Sequence, residues 1–349
     1  MNRKQRRGAA KAARQQSKAA PGLSVADNVV TKAIAAVQAG AFADAERAFD
    51  EVLARFPEHV EALHQKGMLL ARTNRVEDGI PLLQRATRKK PGEALYWNNL
   101  AAACLTCNRA EEARTAARKA VDLDRKYVMA WRNLAMASTD LGLHRDAAGA
   151  LEAAAKLAPQ DAEIWNMLGL AQLELGEADA AEAAFAKAVA LDPGNVECRS
   201  NLGVLLTKRG RAGEALVHLE KAAERDPDRF PTALHYGIAL ALNGEPAKGL
   251  PWLRRATSIK PHSDAAWGAL ADAAIAAGET AEALDAAQRA AQFAPNDPSH
   301  RARLRKLEPG AARRSTLIEL DLGTPVQTSD QDKASEPDLS TSLDQIFIR

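Results

Sequence analysis

Residues 162–195 read AEIWNMLGLAQLELGEADAAEAAFAKAVALDPGN, and two marks within them decide the fold: Gly176 at the middle and Pro193 near the end. Both recur along the chain at a step of 34 residues. The first column is Gly40, Asn74, Asn108, Gly142, Gly176, Gly210, Gly244 and Gly278. Gly and Asn are the residues that accept the left-handed conformation ending a helix. The second column is Pro57, Pro91, Pro159, Pro193, Pro227, Pro261 and Pro295, broken only by Arg125. Proline cannot continue a helix and restrains the residue before it. Two stops per 34 residues, without an insertion, predict a helix–turn–helix unit repeated eight times, which is a solenoid.

Between the stops run columns of small side chains. First helices carry Ala33, Gly67, Ala101, Ala135, Gly169, Gly203, Gly237 and Ala271, and second helices carry Ala45, Gly79, Ala113, Ala147, Ala181, Ala215, Gly249 and Ala283. Small residues let helix axes approach closely while large ones fill the gaps. Trp97, Trp131, Trp165 and Trp267 on first helices, with Phe49, Leu83, Leu151, Phe185, Leu219 and Leu253 on second helices, are read as those fillers.

In length, turn residues, small columns and closing proline the chain resembles the tetratricopeptide repeat (TPR) family. The resemblance covers residues 26–297, or 272 of 349. It implies an all-α, right-handed TPR superhelical solenoid of about eight antiparallel helix pairs. The units are expected at 26–59, 60–93, 94–127, 128–161, 162–195, 196–229, 230–263 and 264–297. Lys32 stands where later units carry Leu100, Leu134, Leu168, Leu202 and Leu270, the polar outer face that a terminal repeat requires. Asp297 and Pro298 read as N-cap and first residue of a capping helix over 298–308, with Leu304 and Leu307 inward and Arg301, Arg303, Arg305 and Lys306 solvated. Pro81 and Pro251 fall early in two second helices and should bend them.

The formal net charge is only +2, but it is unevenly spread. Residues 1–20 hold seven cations and no acid, whereas residues 315–349 hold seven acids and two cations. Residues 1–25 are therefore read as a basic disordered arm and residues 309–349 as an acidic disordered tail. The tail ends in the apolar Ile346, Phe347 and Ile348, for which the groove of the same molecule is a candidate dock. Three cysteines argue against a disulfide scaffold and for a reducing compartment. No apolar run follows the N-terminal cations and none is long enough to span a bilayer, so the expectation is a cytoplasmic protein with no membrane partner.

Catalytic motifs are missing. Gly244 and Gly249 have phosphate-loop spacing, but Leu250 follows where lysine is needed. No Gly-x-Ser-x-Gly elbow or His-Glu-x-x-His helix occurs. The seven histidines lack ligand spacing, and Cys104 of the Cys104-Leu105-Thr106-Cys107 run falls in a core column. The reading is a non-enzyme with no cofactor and no metal.

Function is therefore sought on the inner face, which the resemblance assigns to first helices. One column there reads Thr31, Gln65, Asn99, Asn133, Met167, Asn201, His235 and Ala269; its neighbour reads Val30, His64, Asn98, Arg132, Asn166, Ser200, Leu234 and Gly268. Asparagine offers donors and an acceptor to the backbone of an extended peptide whatever its sequence. The stretch resembles the TPR superhelix of O-linked N-acetylglucosamine transferases, whose asparagine ladder holds substrate backbone. Asn99, Asn133 and Asn201 carry that ladder over, interrupted by Gln65, Met167 and His235. The candidate peptide-binding groove comprises Gln65, Asn98, Asn99, Arg132, Asn133, Asn166, Asn201 and His235. The carboxylate-clamp type of TPR is poorly matched, since Arg132 and Arg72 are the only cations near the groove. The expected function is a non-catalytic scaffold or adaptor binding an extended segment of a partner protein. One alternative is a substrate-recruiting subunit for a separate glycosyltransferase or other modifying enzyme. Another is an RNA- or ribosome-associated protein whose basic arm meets nucleic acid or an acidic partner.

Overall fold

The computed structural model describes residues 21–307; both charged tails lie outside the described residues. Every described element is an α-helix: α1 Pro21–Gln38, α2 Phe42–Arg55, α3 Val60–Arg72, α4 Val76–Lys89, α5 Ala94–Thr106, α6 Ala110–Leu123, α7 Val128–Asp140, α8 His144–Leu157 and α9 Ala162–Glu174 in a first compact unit. A second unit begins at Ala178 and contains α10 Ala178–Leu191, α11 Val196–Lys208, α12 Ala212–Arg225, α13 Phe230–Leu242, α14 Pro246–Ile259, α15 Asp264–Ala277, α16 Thr280–Phe293 and α17 Pro298–Leu307. Helix α1 starts at Pro21, so residues 21–25, read from sequence as part of the disordered arm, are helical. A proline costs nothing at a helix start, where its missing N–H would have no partner.

All eight Gly and Asn stops have positive φ, from 55° at Asn108 to 83° at Gly244. The left-handed residue reverses the chain so that the N–H three positions beyond the helix reaches back to its last turn. Arg75, Arg109, Leu143 and Arg211 donate to Leu70, Cys104, Ser138 and Leu206 at 2.8–2.9 Å. These bonds close carbonyls that would otherwise be orphaned at a helix end. Four first helices are capped at the other end by side chains: His59 accepts from Ala62, Asp161 from Glu163 and Ile164, Asn195 from Cys198, and Ser263 from Ala266, whereas α5, α7 and α13 have no such cap.

Within each unit a helix packs on its pair-mate, on the next pair, and first helix on first helix, as in α3 on α5 and α5 on α7. The small columns set the spacing. A Cβ added to Gly79 would lie 2.6 Å from the Gly67 carbonyl oxygen, and one added to Gly249 would lie 2.6 Å from that of Gly237. These two pairs of facing glycines lie in the repeats whose second helices hold Pro81 and Pro251, and both helices run unbroken through the proline. Phe49, Leu83, Leu151, Phe185, Leu219 and Leu253 are fully buried, the role their columns predict.

The tryptophans differ from their sequence reading. They are half-buried clips, each indole N–H donating to a carbonyl six residues earlier: Trp97 to Pro91, Trp131 to Arg125, Trp165 to Pro159 and Trp267 to Pro261, at 2.8–3.1 Å. Arg199 stands in the same column and makes the same bond to Pro193 through Nε at 2.6 Å. A flat side chain with one N–H at that position holds the closing loop whether or not it is apolar.

Candidate protein-binding face

In the first unit the polar columns of α3, α5 and α7 meet in one network. Asn99 Nδ2 donates to His64 Nε2 at 2.9 Å, and Asn133 Nδ2 donates to Asn98 Oδ1 at 2.9 Å. Glu61 gathers Gln65 Nε2 at 2.8 Å and the Tyr96 hydroxyl at 2.9 Å, while the Tyr96 ring stacks on His64 with centroids 4.2 Å apart. Burial works to raise the Glu61 carboxyl, but the bonds from Gln65 and Tyr96 outweigh it and hold it below the usual range. Burial likewise lowers His64. Because an amide nitrogen only donates, His64 Nε2 accepts and the ring proton sits on Nδ1.

These bonds correct the sequence reading of the second column. Asn98, Asn166, Ser200 and Leu234 are buried between helices and do not line an open face. Asn133, Asn201 and His235 of the first column are buried as well, whereas Gln65, Asn99 and Arg132 are half-buried. Arg132 reaches Glu163 on α9 at 2.7 Å. Asn201 and His235 belong to the second unit, where His235 is 2% exposed and neither ring nitrogen has a hydrogen-bond partner. Burial, with a smaller push from Lys208, lowers His235 to about 3.

The first-helix face of the first unit also exposes large apolar side chains. Leu95 on α5 and Met129 on α7 are 49% and 47% exposed, one repeat apart, and Met136 lies two turns beyond Met129 at 41%. The spacing Met129, Arg132, Met136 keeps one face of the helix, and Arg132 Nη1 lies 3.9 Å from the Met129 sulfur. Sequence reasoning followed the amide columns and passed over this one; its signal was Leu95 and Met129 falling at the column of Glu61 and Glu163, where solvated charge is the local habit.

Other features carry less. A depression of about 480 Å³ between residues 74–78 and 106–108 is lined by Arg75 and Asp78, which already pair with each other. Cys104 is buried and its thiol is pushed up to about 11 by burial, so it is not a thiolate at neutral pH. Among the described residues no helix is long and apolar enough to cross a membrane.

Among solved structures the chain is similar to one described as the APC/C hetero-tetramer Cut9-Hcn1, at 18% identity and TM-score 0.56 over 77% of this chain and 53% of that one. It therefore spans about half the length of that protein. It is also similar to a tetratricopeptide repeat protein from Parabacteroides merdae, at 17% identity and TM-score 0.52 over 72% of this chain and 99% of that one. PilW, described as a type IV pilus biogenesis factor, follows at 20% identity and TM-score 0.51, over 60% of this chain and 97% of PilW. At these identities the likeness is one of fold. No curated protein matches. One family model described as tetratricopeptide repeat matches residues 30–94, 64–128 and 132–196, and a second of the same description matches 172–235 and 240–307. With the left-handed stops, the small columns and the helix pairing in place within each unit, the chain belongs to the tetratricopeptide repeat family.

Proposed function

We propose that this chain is a non-catalytic scaffold whose first unit receives an extended segment of another protein across the first-helix face of α5, α7 and α9. The TPR fold supports a protein-interaction scaffold. The observation that carries the finer reading is the row of Leu95, Met129 and Met136, three large apolar side chains left open on one face. Exposed apolar rows of this kind mark contact surfaces, and methionine adapts its shape to varied ligands. Gln65 shows one strong bond, to Glu61 within its own helix, and Asn99 shows one to His64 on the neighbouring helix; an amide has further donors and lone pairs for a peptide backbone. Asn98 and Asn133 act as scaffold in this reading, since their bond is buried between helices. Three free cysteines support a reducing location such as the cytoplasm.

The test is selection from a displayed library of 16-residue peptides against the full chain. Selected peptides should be apolar at two or more positions. Leu95→Glu with Met129→Glu removes about 1.5–3 kcal/mol of burial per side chain, so affinity should fall at least tenfold while the thermal melt stays in place. Selected peptides that bind the double variant as tightly as the parent would show that this face is not the site.

A further inference from the structure

Three side chains from the last repeat and the closing helix converge on one point. Asp264 is the first residue of α15. Asp297 precedes α17, and its Oδ1 accepts the Ser299 N–H at 2.8 Å. His300, in the first turn of α17, is 2% exposed, and its Nε2 has no hydrogen-bond partner. That nitrogen faces Asp264 Oδ2 at 3.5 Å and Asp297 Oδ2 at 3.6 Å. Both distances exceed the roughly 3.2 Å limit of an N–H···O hydrogen bond. The three donor atoms lie within 4.8 Å of one another.

We propose that Asp264, Asp297 and His300 bind a divalent transition cation of the zinc class. Metal–nitrogen and metal–oxygen bonds of about 2.0–2.1 Å in a tetrahedron put neighbouring donors about 3.3–3.4 Å apart. The two distances from His300 come within a few tenths of an ångström of that edge. Two hard carboxylates alone would suit calcium or magnesium, which take oxygen ligands; the imidazole turns the preference toward zinc, cobalt or nickel. Three protein ligands leave a fourth position for water.

Arg303 sets the terms of binding. Its Nε and Nη2 grip Asp272 at 2.9 Å each, and its Nη1 donates to Ser299 Oγ and to His300 Nδ1, both at 2.9 Å. This pairing also corrects the sequence reading of Arg303 as a solvated side chain. A guanidinium only donates, so Nδ1 accepts and the ring proton rests on Nε2. To take a cation, the neutral ring must move that proton from Nε2 to Nδ1. Arg303 then gives up Nδ1 and keeps Ser299 and Asp272; no proton is released. The bound cation would join the start of α15 to the start of α17, fixing the closing helix whose Leu304 and Leu307 pack against the core of the second unit. The linear spacing hides the set, because 264 and 297 are almost a full repeat apart.

The experiment titrates untagged full-length protein with Zn²⁺ by calorimetry and with Co²⁺ by visible absorption, and follows amide exchange in α17. One cation per chain should bind, slow exchange across 298–307, and resist competition by Mg²⁺ or Ca²⁺. Asp264→Asn and His300→Gln should each weaken binding by at least about tenfold, the scale on which even outer ligand contacts are felt. Asp264→Asn alters a part-exposed carboxylate and leaves the Asp297 cap intact, so it carries the test if His300→Gln unfolds. No Zn²⁺ binding below millimolar, or equal binding by parent and Asp264→Asn, overturns the proposal.

Discussion

Replacing Gly79 by alanine should force α3 and α4 apart, although the change adds one methyl to a helix that would otherwise welcome it. The new Cβ would sit 2.6 Å from the Gly67 carbonyl oxygen, well inside the 3.4 Å at which ordinary contact begins. The atom it meets is backbone, so no side chain can swing away and two helices must move. Overpacking of this kind costs about 1–3 kcal/mol, against about 0.8–1.0 kcal/mol regained from helix propensity. The expected result is a net loss of about 1 kcal/mol. Gly149 in α8 is the matched control, with negative φ and no atom within 4 Å of a built Cβ. There the same substitution should stabilise by about 0.5–1 kcal/mol. Urea unfolding of the full chain compares the two, and amide exchange shows where the loss falls. In a repeat array stability is a sum of nearest-neighbour terms, so faster exchange should centre on α3, α4 and their neighbours. Gly249→Ala, facing the Gly237 carbonyl at the same 2.6 Å, repeats the test in the second unit. If Gly79→Ala and Gly149→Ala shift the urea midpoint in the same direction, close backbone approach is not what these glycines provide.

Asn133→Ala should lower stability by about 1–3 kcal/mol, because it leaves the buried Asn98 amide oxygen without its 2.9 Å donor; a urea midpoint unmoved by the change would return Asn133 to the list of ligand contacts. His235 should make the fold acid-sensitive: the folded ring stays neutral down to about pH 3, while the unfolded ring takes a proton below its ordinary 6.5. This contribution is complete above pH 6.5 and is lost as pH falls toward 3, so the protein should be about 2 kcal/mol less stable at pH 5 than at pH 7.5 from this group. His235→Met, the residue found at the same column in Met167, should remove that part of the pH slope in urea unfolding, and an unchanged slope would refute it.

The helix pairs were legible in the sequence because their determinants act locally. A left-handed residue at 34-residue intervals needs only its own φ, and all eight stops adopt it. A small residue facing another small residue needs only the helical period to be placed, as Gly67 and Gly79 show. The candidate site was less legible. Whether Asn98 looks into a groove or into a seam turns on a fraction of a helical turn, and that rotation is set by how α5 packs on α3 and α7. The same holds for the tryptophans, whose columns predict bulk while their N–H groups find a loop carbonyl. Asp264, Asp297 and His300 have no motif at all, since their meeting depends on the angle at which α17 closes on α15. Local backbone preference and periodicity are thus written along the chain; the direction of a polar side chain, and therefore its partner, waits on the packing of helices a full repeat apart.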